Sequence, residues 1–235
     1  MPYAEKLGKE YGFLIYEYLF HTTNADEQID FAAKLLKALS IEKVILIGAS
    51  DGGVYAQIFA KRHPESVLTM ILTTTLTVDS DYVRDIQKER FSTPILLFLL
   101  KLVPAKTEMN LLLKKSTGFL ECESEEERKY GRGFYETVAS DLNYKQRFIH
   151  SFACVYMLRN YPIFEENDFE YLREKIQVLL PEKDIFKKED QNRLADLFGK
   201  LDAEILRVPG GHAGFIVQAE YYMDRMENFL KKAGV

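Results

Sequence analysis

The chain has 235 residues, 47% of them hydrophobic and 29% charged, with a formal net charge of −5. That length can bury a large core in one domain, and that composition excludes a disordered or fibrous protein. The negative balance argues against nucleic acid or an anionic membrane as the main partner.

Two cysteines, Cys122 and Cys154, show no metal-ligand spacing and no disulfide framework, which fits a reducing compartment. Met1-Pro2-Tyr3 runs into charged residues without a secretory pattern. The longest apolar run, Ile95–Val103, is too short for a bilayer and is broken by Lys101. The expected location is cytoplasmic.

In chain order, Tyr3–Glu10 reads as a helix closed by Gly12, and Phe13–Tyr18 as a strand of aromatic and branched residues. A loop containing His21 follows. Thr23 or Asn24 then suits the cap of a helix that runs to about Leu39, with Asp26 and Glu27 in its first turn. Ile29, Phe31, Ala32, Leu35, Leu36 and Leu39 form its apolar stripe. Val44–Ile47 is a β-branched apolar run, expected as a strand buried on both faces of a parallel sheet. A helix Val54–Arg62 ends at His63-Pro64, and Val67–Thr75 is the next strand.

This strand–helix alternation predicts parallel pairing. From Asp79 to about Glu170 the rhythm changes to helices: Asp79–Phe91, Pro94–Val103, Glu108–Lys115, Ser124–Ala139 and Tyr144–Tyr161. The alternation then resumes with strand Ile176–Leu180, helix Glu189–Lys200, strand Ala203–Val208 and helix Gln218–Lys232. The expected fold class is α/β: one domain, residues 1–235, with a mostly parallel sheet and flanking helices. Its core is expected in 1–78 and 171–235, with a helical cap at 79–170.

Between the strand at Val44 and the helix at Val54 stands Gly48-Ala49-Ser50-Asp51-Gly52-Gly53. A strand feeding a helix through G-x-S-x-G is the pattern of a nucleophile elbow, which lifts a serine hydroxyl above the sheet. The helix N-terminus beneath it favours negative charge, and so favours Asp51 in the first turn. The plain alternative is an ordinary glycine-rich turn. An elbow serine needs a base, and the base needs an acid to hold its tautomer. Asp184 follows one predicted strand in Pro181-Glu182-Lys183-Asp184, and His212 follows another in Pro209-Gly210-Gly211-His212. Both therefore fall at strand C-terminal ends, where open α/β sheets build sites. The alternatives are a solvated turn for Asp184 and an unpartnered loop for His212. Asp79 is the reserve acid. His63 reads as a helix end, His21 as a loop or pocket residue, and His150 as cap packing. The run Pro94–Pro104 either walls an acyl pocket or forms the buried face of the cap.

On these motifs, in the order Ser50…Asp184…His212, the sequence resembles the α/β-hydrolase fold superfamily of serine esterases from about residue 1 to 232. G-A-S-D-G-G is similar to the elbow of some family esterases, P-E-K-D to the acid turn and P-G-G-H to the histidine turn. The resemblance implies Ser50 as nucleophile, His212 as general base and acid, and Asp184 as orienting carboxylate. It implies the main-chain N–H of Asp51 as an oxyanion donor, with no metal or organic cofactor. The activity implied is hydrolysis of a small ester, thioester or amide through an acyl-serine. The partner is a small molecule with an apolar acyl or alkyl part, with no nucleic acid and a protein partner left open. A carbon–carbon hydrolase or lyase with the same triad is a weaker variant.

F-L-I-Y-E-Y-L-F-H-T-T lacks the Asp-x-x-Gly that usually follows this strand. In that respect, and in its elbow, the chain is similar to the maspardin-like branch, some of whose members act by binding partners. The first three strands of the family, and the His-Gly loop with the second oxyanion donor, have no counterpart. The resemblance thus implies an N-terminally shortened hydrolase, or a start upstream of Met1. In the shortened form Phe13–Tyr18 and Val44–Ile47 are expected either to pair directly or to leave a gap that exposes unpaired backbone groups, which is costly in a buried sheet, and the esterase activity is expected to be weak or absent. The competing reading is a binding module on a hydrolase scaffold.

Overall fold

The computed structural model describes residues 2–85, 98–99, 101–104, 107, 110, 120–122 and 124–235. Among them, strands β1 (Val44–Ala49), β2 (Val67–Thr73), β3 (Ile176–Pro181) and β4 (Glu204–Val208) form one sheet. Every neighbouring pair is parallel, and the order is β1-β2-β3-β4. The registers Ala49↔Thr73, Thr73↔Leu179 and Pro181↔Val208 bring the C-terminal ends level on one edge of the sheet.

The helices are α1 (Pro2–Lys6), α2 (Ala25–Ala38), α3 (Asp51–Arg62), α4 (Asp81–Asp85), α5 (Glu125–Val138), α6 (Tyr144–Leu158), α7 (Lys188–Gly199), α8 (Gly214–Val217) and α9 (Ala219–Lys232). Asn24 caps α2, its Oδ1 accepting from the N–H groups of Asp26 at 2.9 Å and Glu27 at 3.2 Å. Ser124 caps α5 by accepting from the Glu127 N–H at 3.1 Å.

Alternation along the strands sorts the core onto two faces. Met70, Leu72, Ile176, Val178 and Leu180 pack with Ile29 of α2, Ile58 of α3 and Phe198 of α7. Ile71, Leu179 and Val208 pack on the other face against Tyr222, Met226 and Phe229 of α9. The first face is extended by rings that meet edge to face, Phe164 on Phe169 at 5.5 Å and Phe169 on Phe198 at 5.2 Å. Phe169 is fully buried, so Phe169→Ala is expected to destabilise the fold by about 3–5 kcal/mol through lost transfer energy and a cavity. Urea unfolding measures it; a loss under about 1 kcal/mol would mean that the site collapses to fill the space.

Two expectations are corrected here. Phe13–Tyr18 is not a strand, and no backbone hydrogen bond joins it to β1 among the described residues. Tyr16 and Tyr18 pack on helices instead, while Phe13, Leu14 and Ile15 are exposed. Tyr16 lies 6.3 Å from Phe31 of α2, and Tyr18 stacks at 4.8 Å on Tyr55 of α3. Just beyond, the side chain of Gln28 binds both the N–H and the carbonyl of Leu19, holding the main chain there. Direct pairing of this segment with Val44–Ile47 therefore does not occur. As a result, β1 is an edge strand of the described sheet and not one buried on both faces. Val44, Ile45 and Leu46 are half-buried and Ile47 is exposed. β2 and β3, flanked on both sides, are the buried pair.

Smaller differences concern boundaries. The helix at Pro2 tightens to a 3₁₀ turn at Leu7–Lys9, and the elbow helix starts at Asp51, ahead of Val54. Helix Asp79–Phe91 is described only up to residue 85, as α4, and Glu108–Lys115 lies almost wholly outside the described residues. Of the run Pro94–Pro104, Phe98, Leu99 and Leu102 are exposed, so at these three it is not a buried face. Among the described residues, no helix is long and apolar enough to cross a membrane.

Candidate active site

The β1–α3 corner is tight. Ser50 has φ 55° and ψ −127°, a conformation that costs a non-glycine residue energy. The corner closes because residue 48 is glycine: a Cβ there would stand 2.6 Å from the Gly53 Cα and 2.7 Å from the Gly52 carbonyl oxygen. Main-chain contacts fasten it to the end of β2. The Ser50 N–H donates to the Thr73 carbonyl at 3.2 Å, and the Thr75 hydroxyl donates to the Ser50 carbonyl at 2.5 Å. Strain of this kind persists only where its surroundings over-determine it.

The acid and histidine turns are tied to each other beyond the ends of β3 and β4. The Glu182 N–H donates to the Val208 carbonyl at 3.0 Å, and the Lys183 N–H to the Gly210 carbonyl at 3.2 Å. Asp184 and His212 consequently meet: His212 Nδ1 lies 2.8 Å from Asp184 Oδ1. On its other side, His212 Nε2 lies 3.0 Å from Ser50 Oγ. The Asp184 side chain is 1% exposed and the His212 side chain 8%, so the contact is almost out of water. Asp184 Oδ1 also accepts from the Phe186 N–H at 3.3 Å. The Phe186 ring meets the imidazole edge-on at 5.0 Å, and the Tyr82 ring meets that of Phe186 at 5.0 Å. Asp79, the reserve acid, engages Arg193 through its carbonyl at 2.9 Å.

Asp51 opens α3. Its main-chain N–H has no partner among the described residues, while its carboxylate accepts from the Gly52 N–H at 2.9 Å and from the hydroxyl of Ser151 on α6. Three phenols sense that carboxylate. Burial first, and Asp51 second, raise the pKa of Tyr18 and of Tyr82; Tyr55 is raised mainly by burial. Cys154 of α6 is pushed up to about 11, again mainly by burial, and is a neutral thiol at ordinary pH. Both cysteines are free.

His63 and His150 take other partners. His63 ends α3 with its ring on Phe59 at 5.1 Å, and His150 packs on Phe20 at 5.3 Å with burial lowering its pKa. Among the described residues, no cluster of three His, Cys, Asp or Glu is placed to hold a metal ion.

A family model described as the α/β hydrolase fold matches residues 8–219. The chain belongs to the α/β-hydrolase fold family. Solved structures similar to this α/β hydrolase include a thermophilic esterase from Thermogutta terrifontis, with TM-score 0.68 and 18% identity over 99% of this chain and 84% of that one. An α/β hydrolase enzyme from a Medee basin deep-sea metagenome library has TM-score 0.68 and 14% identity over 94% of this chain and 75% of that one. A structure from a study of carboxylesterases of the thaumarchaeon Nitrososphaera gargenis has TM-score 0.64 and 16% identity over 99% and 85% of the two chains. No curated protein sequence matches.

Sequence reasoning named Ser50, Asp51, Asp184 and His212, all four at this edge of the α/β-hydrolase sheet. It missed Tyr18, Tyr82, Phe186 and Ser151 as neighbours of the corner. For Tyr18 a signal existed, an aromatic at the end of a supposed strand, whereas the other three arrive through long-range packing that no local pattern announces.

Proposed function

We propose that this α/β hydrolase cleaves a small ester, thioester or amide through an acyl-serine intermediate. The observation that carries the reading is the unbroken relay Ser50 Oγ–His212 Nε2–Asp184, at 3.0 and 2.8 Å. With the Asp184 carboxylate accepting from Nδ1–H, the Nε2 lone pair is left facing the serine hydroxyl. Ser50 Oγ then adds to the substrate carbonyl carbon as its proton passes to Nε2. The resulting imidazolium is stabilised by Asp184 and returns the proton to the leaving alcohol, thiol or amine as the carbon–heteroatom bond breaks. Water repeats the sequence on the acyl-serine and releases the acid. The Asp51 N–H, unpartnered at the positive end of α3, serves the oxyanion.

The substrate reading, an apolar acyl or alkyl part, draws support from Phe186 beside His212 and from Tyr82 against Phe186. A helical cap within residues 79–170 draws support from Ser151 of α6, which bonds the Asp51 carboxylate. It is also supported by Arg84, which ties α4 to the carbonyls of Arg159 at 2.5 Å and Tyr161 at 2.8 Å.

A fluorophosphonate, which phosphonylates activated serines with loss of fluoride, tests the serine route. The wild type is expected to be labelled and Ser50→Ala not; an unlabelled wild type, or a labelled Ser50→Ala, would overturn it.

A further inference from the structure

Addition of Ser50 to a carbonyl turns the carbonyl oxygen into an alkoxide, and one hydrogen bond from Asp51 leaves most of that charge unmet. A second donor has to reach the same oxygen, and one beside the first turn of α3 is placed to do so. The glycines of that turn show which flank has one. A Cβ at Gly53 would drive into Thr75 at the end of β2, 2.4 Å from its Oγ1. Gly52 lies about 100° round the helix from it. A Cβ there would meet one group within 4 Å, the hydroxyl of Tyr18 at 3.9 Å. This hydroxyl therefore sits beside the first turn of α3, the turn that carries the Asp51 N–H.

It is held there and uncommitted. Its ring stacks on Tyr55 at 4.8 Å and meets Tyr16 edge-on at 6.5 Å. The next residue is pinned by Gln28, itself fully buried, with contacts of 2.8 and 2.9 Å to the N–H and carbonyl of Leu19. The Asp51 carboxylate accepts from Ser151 and the Gly52 N–H, and among the described residues no hydrogen bond runs to it from the phenol. Burial and that carboxylate hold the Tyr18 pKa well above the ordinary phenol value, so the group stays a donor throughout the working pH range.

We propose that the Tyr18 hydroxyl is the second oxyanion donor of this site, completing the pair begun by the Asp51 N–H. The inference rests on the serine route proposed above. It also reverses the expectation of weak activity, because the donor that the family takes from a loop comes here from a side chain that the sequence suggested was only a strand residue.

Tyr18→Phe keeps the ring and its stacking and removes only the donor. For a short p-nitrophenyl ester the expected result is a fall in kcat on the order of a hundredfold with KM nearly unchanged. Fluorophosphonate labelling should slow by a similar factor, since the phosphoryl oxygen occupies the same place. Tyr16→Phe, which removes a hydroxyl from the same segment, should alter neither rate. All rates are read at a temperature where circular dichroism shows each variant folded. Tyr18→Phe within about threefold of wild type, while Ser50→Ala is inactive, would overturn this inference alone. So would a rise in KM with kcat held, or an equal loss in Tyr16→Phe. A wild type that neither turns over nor labels would overturn the serine route and this inference with it.

Discussion

Ser50→Ala and His212→Ala are each expected to lower the turnover of a short activated ester by roughly 10⁴–10⁶-fold, with the double variant little worse than either single one. The reason is mechanical: at 3.0 Å the imidazole is useful only for the proton of that hydroxyl, and the hydroxyl is a poor nucleophile without it. Groups that act as a unit do not lose their contributions additively. Ser50→Ala leaves the rest of the corner in place, so its stability should match wild type. His212→Ala is different, because it leaves the Asp184 carboxylate, 1% exposed, without its imidazole. An uncompensated buried acceptor of that kind costs on the order of 1–3 kcal/mol or more. The comparison is therefore made at a temperature where circular dichroism shows both variants folded. A His212→Ala variant that is folded and keeps a tenth or more of wild-type turnover would remove His212 as the base.

These residues were legible from sequence because each lies a few positions past a strand end, and strand ends are what apolar runs and glycine turns announce best. Ser50 immediately follows β1, Asp184 is in the turn after β3, and His212 is in the turn after β4. In a parallel sheet all such ends share one edge. Phe13–Tyr18 was misread for a related reason. Its aromatic and branched residues fit a pleated surface, but strand propensity needs a neighbour to pair with, and the rings of Tyr16 and Tyr18 are engaged by α2 and α3 instead. The same absence of a neighbour among the described residues explains β1, whose residues suit a central strand and which stands at an edge of the described sheet. Tyr82, Phe186 and Ser151 belong to contacts that span long stretches of chain, and no local periodicity contains them.

The role of Asp184 is separable from that of a mere charge nearby. Asp184→Asn is expected to lower kcat by about 10⁴-fold while leaving the fold intact, since the amide is nearly isosteric with the carboxylate. The carboxylate has only acceptors to offer Nδ1, so it requires Nδ1–H and leaves Nε2 free to take the serine proton. An amide NH₂ turned toward Nδ1 reverses this: Nδ1 becomes the acceptor, the proton moves to Nε2, and the base faces Ser50 with its donor side. Whichever way the amide turns, the negative charge that stabilises the imidazolium is gone. The control is Asp79→Asn, the acid that strand position alone also allowed. Its contact with Arg193 runs through the main-chain carbonyl, which the substitution leaves in place. Turnover by Asp79→Asn should stay within about threefold of wild type. The pair of variants assayed with one ester decides between the two acids. A nearly normal Asp184→Asn beside a crippled Asp79→Asn would transfer the role to Asp79 and show that the 2.8 Å contact of Asp184 with the imidazole is structural.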